Sequence, residues 1–563
     1  MSGAAAAART GPRRPPCAGL RGGAALHCPP VFESLHILTA ILATLVLVTL
    51  LAPRLRLPQP LALALAGVAL TFVPSVRAHM QGVDPNWILV GFLPPLLYAD
   101  AWQTSWRDFR RWLRPILMLA IGLVAATIAV VGVVAKLCLP DLPWAVCFVL
   151  GAIVSPTDTV AAQAVLEKLR VPRRLTAVLG GESLVNDATG LVGVQIGVVV
   201  VMQGVFEFGS VLGQFAWVAG MGIVIGAAVG FVFAWANRLV RDSSVLFTLS
   251  LLSPYFAFAL AGSLDVSGVL AVVVAGAVVA WRVHAIPPAA RVQLRATWAQ
   301  LTFVLNGLCF LYIGLRSPCL LRQAFGLGRE LWIAGLAVSG AVVATRILWC
   351  WPAAYLPLWL FSRLRAREGG YPSPRGVAVV SWCGVRGAVS LAAALALPLT
   401  TDGDQLFPGR DEVIACTLAV ILVTLFLQGG TLFPLVRLLG LRDDGTTALE
   451  MRQARERLLQ AGIERLDAFC SENSCPIAVH RFREAMVDEL ASLRADDEAE
   501  RSRAAQRLAV SREVRVAVVR AQEVALLMLR DGGVVDDQAY NNLLLELDHA
   551  AVEAGGGEAG GAG

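Results

Sequence analysis

Five ionisable residues sit within long apolar stretches of this chain: Asp158, Glu182, Asp187, Arg346 and Arg386. A charge at the centre of a bilayer costs on the order of 3 kcal/mol or more and persists there mainly for function. Buried carboxylates of this kind can hold either a proton or a metal ion, and desolvation sharpens that competition. The segment GESLVNDATG, from Gly181, spaces Glu182 from Asn186 and Ser183 from Asp187 by one helical turn, so all four share a face. Hydroxyl, amide and carboxylate oxygens suit a small hard cation. In SPTDTVAA, from Ser155, Pro156 removes a backbone donor and disfavours helix at Ser155, which opens the chain beside Asp158. The freed carbonyls and the Thr157 hydroxyl are then available as ligands. GVRGAVSLA, from Gly384, sets Arg386 between Gly384 and Gly387 and predicts a second interruption. A Glu182 pair with Arg346 or Arg386 is equally well read as a fastening between helices. Asp100, in FLPPLLYADAW, lies at the end of its apolar run and reads as an interface cap rather than a funnel residue.

The elements that must position these groups are membrane helices. The 563 residues are 56% hydrophobic and only 16% charged, with mean hydropathy +0.66, against about 25% charged in a soluble domain. The chain shows no nucleophile with its base, no phosphate loop and no metal-ligand set, so an enzyme is not expected. Eleven cysteines lack paired metal spacing and read mainly as small core residues. No cofactor is expected.

From Val31 to Arg437, apolar runs recur at lengths that can cross a bilayer core, which takes about 20 residues. They predict an all-α polytopic fold of about 13 spans, with interrupted helices over about 143–168 and 374–399. Asp158 then lies about 22 Å along one span and Asp187 about 20 Å along the next, antiparallel one, at 1.5 Å per residue. Both carboxylates reach the midplane. Two interrupted helices in corresponding places of two halves, about seven spans apart, are the pattern of inverted-repeat transporters that bind ions at mid-membrane.

Arginines concentrate in alternate loops, at Arg54 and Arg56, Arg107 to Arg114, Arg238 and Arg241, and Arg363 to Arg367, which places those loops in the cytoplasm. Residues 1–30 are rich in Ala, Gly, Pro and Arg and read as a disordered tail or an over-extended start. Residues 31–440 form the transmembrane domain. Residues 441–563 change composition, with Leu459, Ile463, Leu466 and Phe469 at helical spacing, and read as a cytoplasmic helical region with further helices near 479–494 and 511–530.

The segments FLPPLLYADAW, GAIVSPTDTVAA, GESLVNDATGLV, FVLNGLCFLYIGL and GVRGAVSLA, in this order, resemble the monovalent cation:proton antiporter-1 family, the Na+/H+ exchangers, of the bacterial type with a cytoplasmic C-terminal extension. The resemblance implies a homodimer in the cell membrane that carries ions by alternating access and serves pH and Na+ homeostasis. Lipid and monovalent cations are its expected partners; nucleic acid is not. It further implies that Asp187 alternates between Na+ and H+, with Ser183 and Thr157 as Na+ ligands and Glu182 beside the ion. Asp158 would be the supporting acid, Arg386 would pair with Glu182, and Arg346 would steady the site. Asn186 stands where electrogenic relatives carry a second Asp, which implies electroneutral one-for-one exchange. K+ or Li+ in place of Na+ is an open alternative, since oxygen ligands alone do not fix ion size. A passive cation channel, the reading from another class, requires a continuous polar pore.

Overall fold

The computed structural model describes residues 31–494, apart from short breaks at 56, 75, 78–85, 159–161, 164, 167–168, 170, 205–207, 327, 402–404, 442–444 and 473–476. It also describes 517–529 and a few positions between 543 and 550. The expected tail over 1–30 lies outside the described residues. The chain divides into two compact units, Met1–Asp443 and Asp444–Gly563.

The first unit is a stack of apolar helices: α1 Val31–Leu51, α2 Gln59–Leu70, α3 Asn86–Gln103, α4 Leu113–Cys138, α5 Trp144–Val154, α6 Arg173–Gln203, α7 Phe208–Leu239 and α8 Ser243–Gly262. It continues with α9 Gly268–Trp281, α10 Pro288–Gly326, α11 Arg329–Leu360, α12 Pro374–Trp382, α13 Ala388–Leu395 and α14 Arg410–Leu439. Among the described residues, seven helices are long and apolar enough to cross a membrane. Their outer faces remain apolar. On α7, Leu212, Trp217, Val224, Val232 and Trp235 are exposed, and Leu336, Leu348 and Trp359 are exposed on α11. So much uncovered apolar surface belongs against lipid.

Helices α2 and α10 meet backbone to backbone. A methyl group at Gly67 would collide with the Leu311 carbonyl, and one at Gly314 with the Ala64 carbonyl. Small residues at such a crossing let the helices pack by dispersion alone, where lipid offers no hydrophobic drive.

Two helices break in mid-course, at the positions read from Pro156 and from the glycine pair. Helix α5 ends at Val154 and residues 155–158 are non-helical; α12 ends at Trp382 and residues 383–387 are non-helical before α13 begins. Freed backbone groups at membrane depth need partners. Each break supplies the other's: the Asp158 N–H donates to the Val385 carbonyl at 2.8 Å, and Arg386 Nε donates to the Val154 carbonyl at 2.7 Å. A π-helical stretch of α14, Thr424–Gly429, adds a third support, with Thr424 Oγ1 accepting from the Arg386 N–H at 3.0 Å.

The second unit contains α15 Thr446–Glu472 and α16 Ile477–Arg494. They form an antiparallel hairpin tied by Arg494–Glu456, Arg483–Asp467 and Arg455–Glu489. Leu459 and Leu490 are buried in it, whereas Phe469 is exposed. Cys470, at the end of α15, is disulfide-bonded.

Candidate cation site at the crossing of two broken helices

The break after α5 delivers Thr157 and Asp158 to the face of α6 that carries Glu182, Ser183, Asn186 and Asp187. Their contacts are specific. Ser183 Oγ donates to the Thr157 carbonyl at 3.1 Å, and Asn186 Nδ2 donates to Thr157 Oγ1 at 2.6 Å. The Thr157 hydroxyl in turn faces Glu182 Oε1 at 3.4 Å. Thr157, Glu182, Asn186 and Asp187 are all buried. The amide of Asn186 is thereby oriented, and its Oδ1 has no hydrogen-bond partner among the described residues.

Glu182 is neutralised by Arg346. Nη2 donates to Oε2 at 2.9 Å and Nη1 donates to Oε1, a bidentate pair in which both side chains are buried. Arg346 also donates from Nε and Nη2 to the Val380 carbonyl at 3.2 and 3.1 Å. The family resemblance implied Arg386 as the partner of Glu182, and here the geometry differs. Arg386 donates from Nε to the Val154 carbonyl and from Nη1 to the Gly384 carbonyl, each at 2.7 Å, and its Nη2 has no hydrogen-bond partner among the described residues. The physical reason is local. Helices α5 and α12 both end beside it, and a cation satisfies the carbonyls and negative dipole ends that the breaks expose.

Asp158 occupies the opposite kind of place. Its carboxylate lies where a Cβ on Gly387 would be, directly before the first turn of α13. Only glycine leaves that room, and the positive end of the helix dipole faces the anion. Asp187 is buried and makes no hydrogen bond or ion pair among the described residues. Asp158, Asp100, Arg386 and Glu182 are nonetheless near enough to act on it electrostatically. The sequence-derived residues Asp158, Asp187, Glu182, Ser183, Asn186, Thr157, Arg346, Arg386 and Pro156 thus assemble at one crossing.

A polar cavity of about 270 Å³ leads to this cluster. Asp108 and Arg173, paired at 2.8 Å, stand at its outer end, and Ser183 lies at its inner end. Asp100 and Gln163 line it. Asp100 is therefore a vestibule residue rather than an interface cap. The reading from sequence missed this because the end of α3 reveals its neighbours only when packed against α6. Gln163 was not singled out at all; a polar residue shortly after the break at 155–158 was the available signal.

A buried polar cluster at crossed broken helices, beside a polar vestibule, is the arrangement of a membrane cation carrier. Residues 38–438 match the family model described as sodium/hydrogen exchanger, transmembrane, and the chain belongs to that family. An uncharacterised Na(+)/H(+) exchanger of Mycobacterium tuberculosis is 35% identical over 527 residues, covering 92% of this chain and 96% of the relative. A sodium, potassium, lithium and rubidium/H(+) antiporter of Bacillus pumilus is 29% identical over 466 residues, covering 80% and 68%. Among solved structures, the sodium proton antiporter MjNhaP1 from Methanocaldococcus jannaschii shares the fold, with TM-score 0.57 and 20% identity over 72% of this chain and all of that one. The chain is a multi-pass membrane protein of cation/proton antiport, and not an enzyme.

Proposed function

We propose that this protein exchanges one Na+ for one H+ by alternating access, with Asp187 as the group that carries either ion. The observation that carries this reading is that Asp187 is buried at the crossing with no hydrogen bond or ion pair among the described residues, whereas Glu182 is paired with Arg346. One proton or one monovalent cation supplies the positive charge that Asp187 lacks. Glu182 is held by Arg346 and Asp158 by the start of α13, so the exchangeable charge falls to Asp187. Ser183 and Thr157 are the proposed Na+ ligands beside it, with the Asn186 Oδ1 within the same cluster.

The vestibule opens on the side of the Arg-rich loops, so the site faces the cytoplasm in this conformation. About thirteen crossings then put the C-terminal region on that side too. A homodimer in the cell membrane, serving pH and Na+ homeostasis, completes the reading. K+ is a second candidate ion, favoured by the potassium in the name of the Bacillus pumilus relative.

Purified protein in liposomes tests this directly. Na+, Li+ and K+ are compared for their ability to dissipate an imposed pH gradient, with and without a membrane potential. Exchange independent of the potential is the expected result. Exchange driven by the potential, or undiminished exchange by Asp187→Asn, overturns the proposal.

A further inference from the structure

A second cavity, of about 110 Å³, lies apart from the vestibule, between the arginine-bearing ends of α4 and α6, the last turns of α11 and the start of α12. Its walls are apolar, including Leu119, Leu175, Val178, Ala353 and Val377. Its rim is not. Arg114 and Arg174 both line it and share one carboxylate, Glu368: Arg114 donates from Nε at 2.6 Å and Nη2 at 2.9 Å, and Arg174 Nη2 reaches it at 3.4 Å. Arg114 also donates from Nη1 to the Ala353 carbonyl at 3.0 Å. The Arg174 guanidinium lies over the Trp112 ring at 4.3 Å, with Arg111 over the same ring at 5.2 Å.

Two guanidiniums with one carboxylate leave a net positive charge at the mouth of an apolar chamber, and Arg111 adds to it. Glu368 is taken mainly by Arg114, so the other donors of Arg174 are available to an anion. A cavity of this size takes an apolar group of roughly benzene volume, compared with about 150 Å³ for a dry cavity that binds benzene. Carboxylate and phosphate are the groups a guanidinium recognises with paired hydrogen bonds.

We infer that this cavity is a binding site for a single-chain anionic amphiphile, whose phosphate or carboxylate head pairs with Arg174 while the first carbons of its chain fill the space between α6, α11 and α12. The chamber shares a wall with the cation site. Val380 lines it, and the Val380 carbonyl accepts both Arg346 bonds that hold the partner of Glu182. The inference rests on this geometry and holds whichever cation is exchanged.

The test uses the full chain in zwitterionic nanodiscs and a decyl phosphate that carries a diazirine on its alkyl chain. After photolysis, labelled residues are mapped by mass spectrometry. Label concentrated on peptides containing Leu175, Ala353 and Val377 is expected, with competition by unlabelled decyl phosphate and not by decanol. Arg174→Gln lowers that labelling about tenfold, the effect of losing one charge-assisted hydrogen bond. Val178→Phe, which fills the chamber and keeps the arginines, lowers it as well. Labelling spread evenly over lipid-facing helices, equal competition by decanol, or undiminished labelling in both variants overturns the inference.

Discussion

The two broken helices perform opposite electrostatic tasks with the same backbone device. The break at 155–158 presents Thr157 and Asp158, an oxygen-rich surface next to the carboxylates of α6. The break at 383–387 presents Arg386, a fixed cation that absorbs the carbonyls left exposed by both interruptions. One crossing thus separates the ligands that meet the ion from the charge that keeps the backbone in place. The difference also explains why two nearby arginines leave Asp187 without an ion pair: one neutralises Glu182 and the other serves the helix ends.

Four single variants and one double variant would break or sharpen that division of labour. The largest effect is expected for Asp187→Asn, which removes the exchangeable charge; exchange in liposomes should fall to background while the protein remains folded by size-exclusion chromatography. Next comes Arg346→Gln, which leaves Glu182 buried and unpaired at a cost of about 3–5 kcal/mol. Thermal unfolding in detergent should show that loss. The double variant Arg346→Gln with Glu182→Gln removes one charge of each sign, so it should regain most of the stability and keep one-for-one exchange. An inactive but stable double variant would mean that Glu182 serves as a ligand and not as a fastening.

Gly387→Ala pushes on the Asp158 carboxylate without touching Asp187. The apparent KM for Na+ should rise about tenfold, or 1.4 kcal/mol, with a smaller change in maximal rate. An equal fall of both parameters would assign Asp158 a part in the carrying step itself. The smallest effect is expected for Thr157→Val, which removes one hydroxyl and leaves the Asn186 Nδ2–H without its acceptor. A loss of about 1–3 kcal/mol is divided between Na+ affinity and stability, readable as a several-fold KM shift and a modest fall in Tm.

Much of this crossing is legible in the residues themselves. Pro156 announces the first break because its chemistry forbids the regular ladder, and the one-turn spacing of Glu182, Ser183, Asn186 and Asp187 fixes their common face. Gly384 and Gly387 point to the second break less directly, since glycine permits an interruption without enforcing it. The choice of Arg346 over Arg386 for Glu182 was not legible. Both arginines lie at mid-membrane depth, and only the packed positions of the α5 and α12 termini decide which must serve backbone carbonyls. Asp100 and Gln163 were hidden for a related reason: a vestibule is a space between helices, and spacing along one helix does not describe it.

The contact between α2 and α10 has a mechanical consequence. Where Gly67 faces the Leu311 carbonyl and Gly314 faces the Ala64 carbonyl, no side chain lies between the backbones to act as a bearing. Sliding by even part of a turn would drive a neighbouring side chain into a carbonyl, so the pair moves as one rigid beam. Any displacement that exposes the ion site to the other side of the membrane must be taken up elsewhere. Cross-linking these two helices at their exposed ends would therefore leave turnover intact.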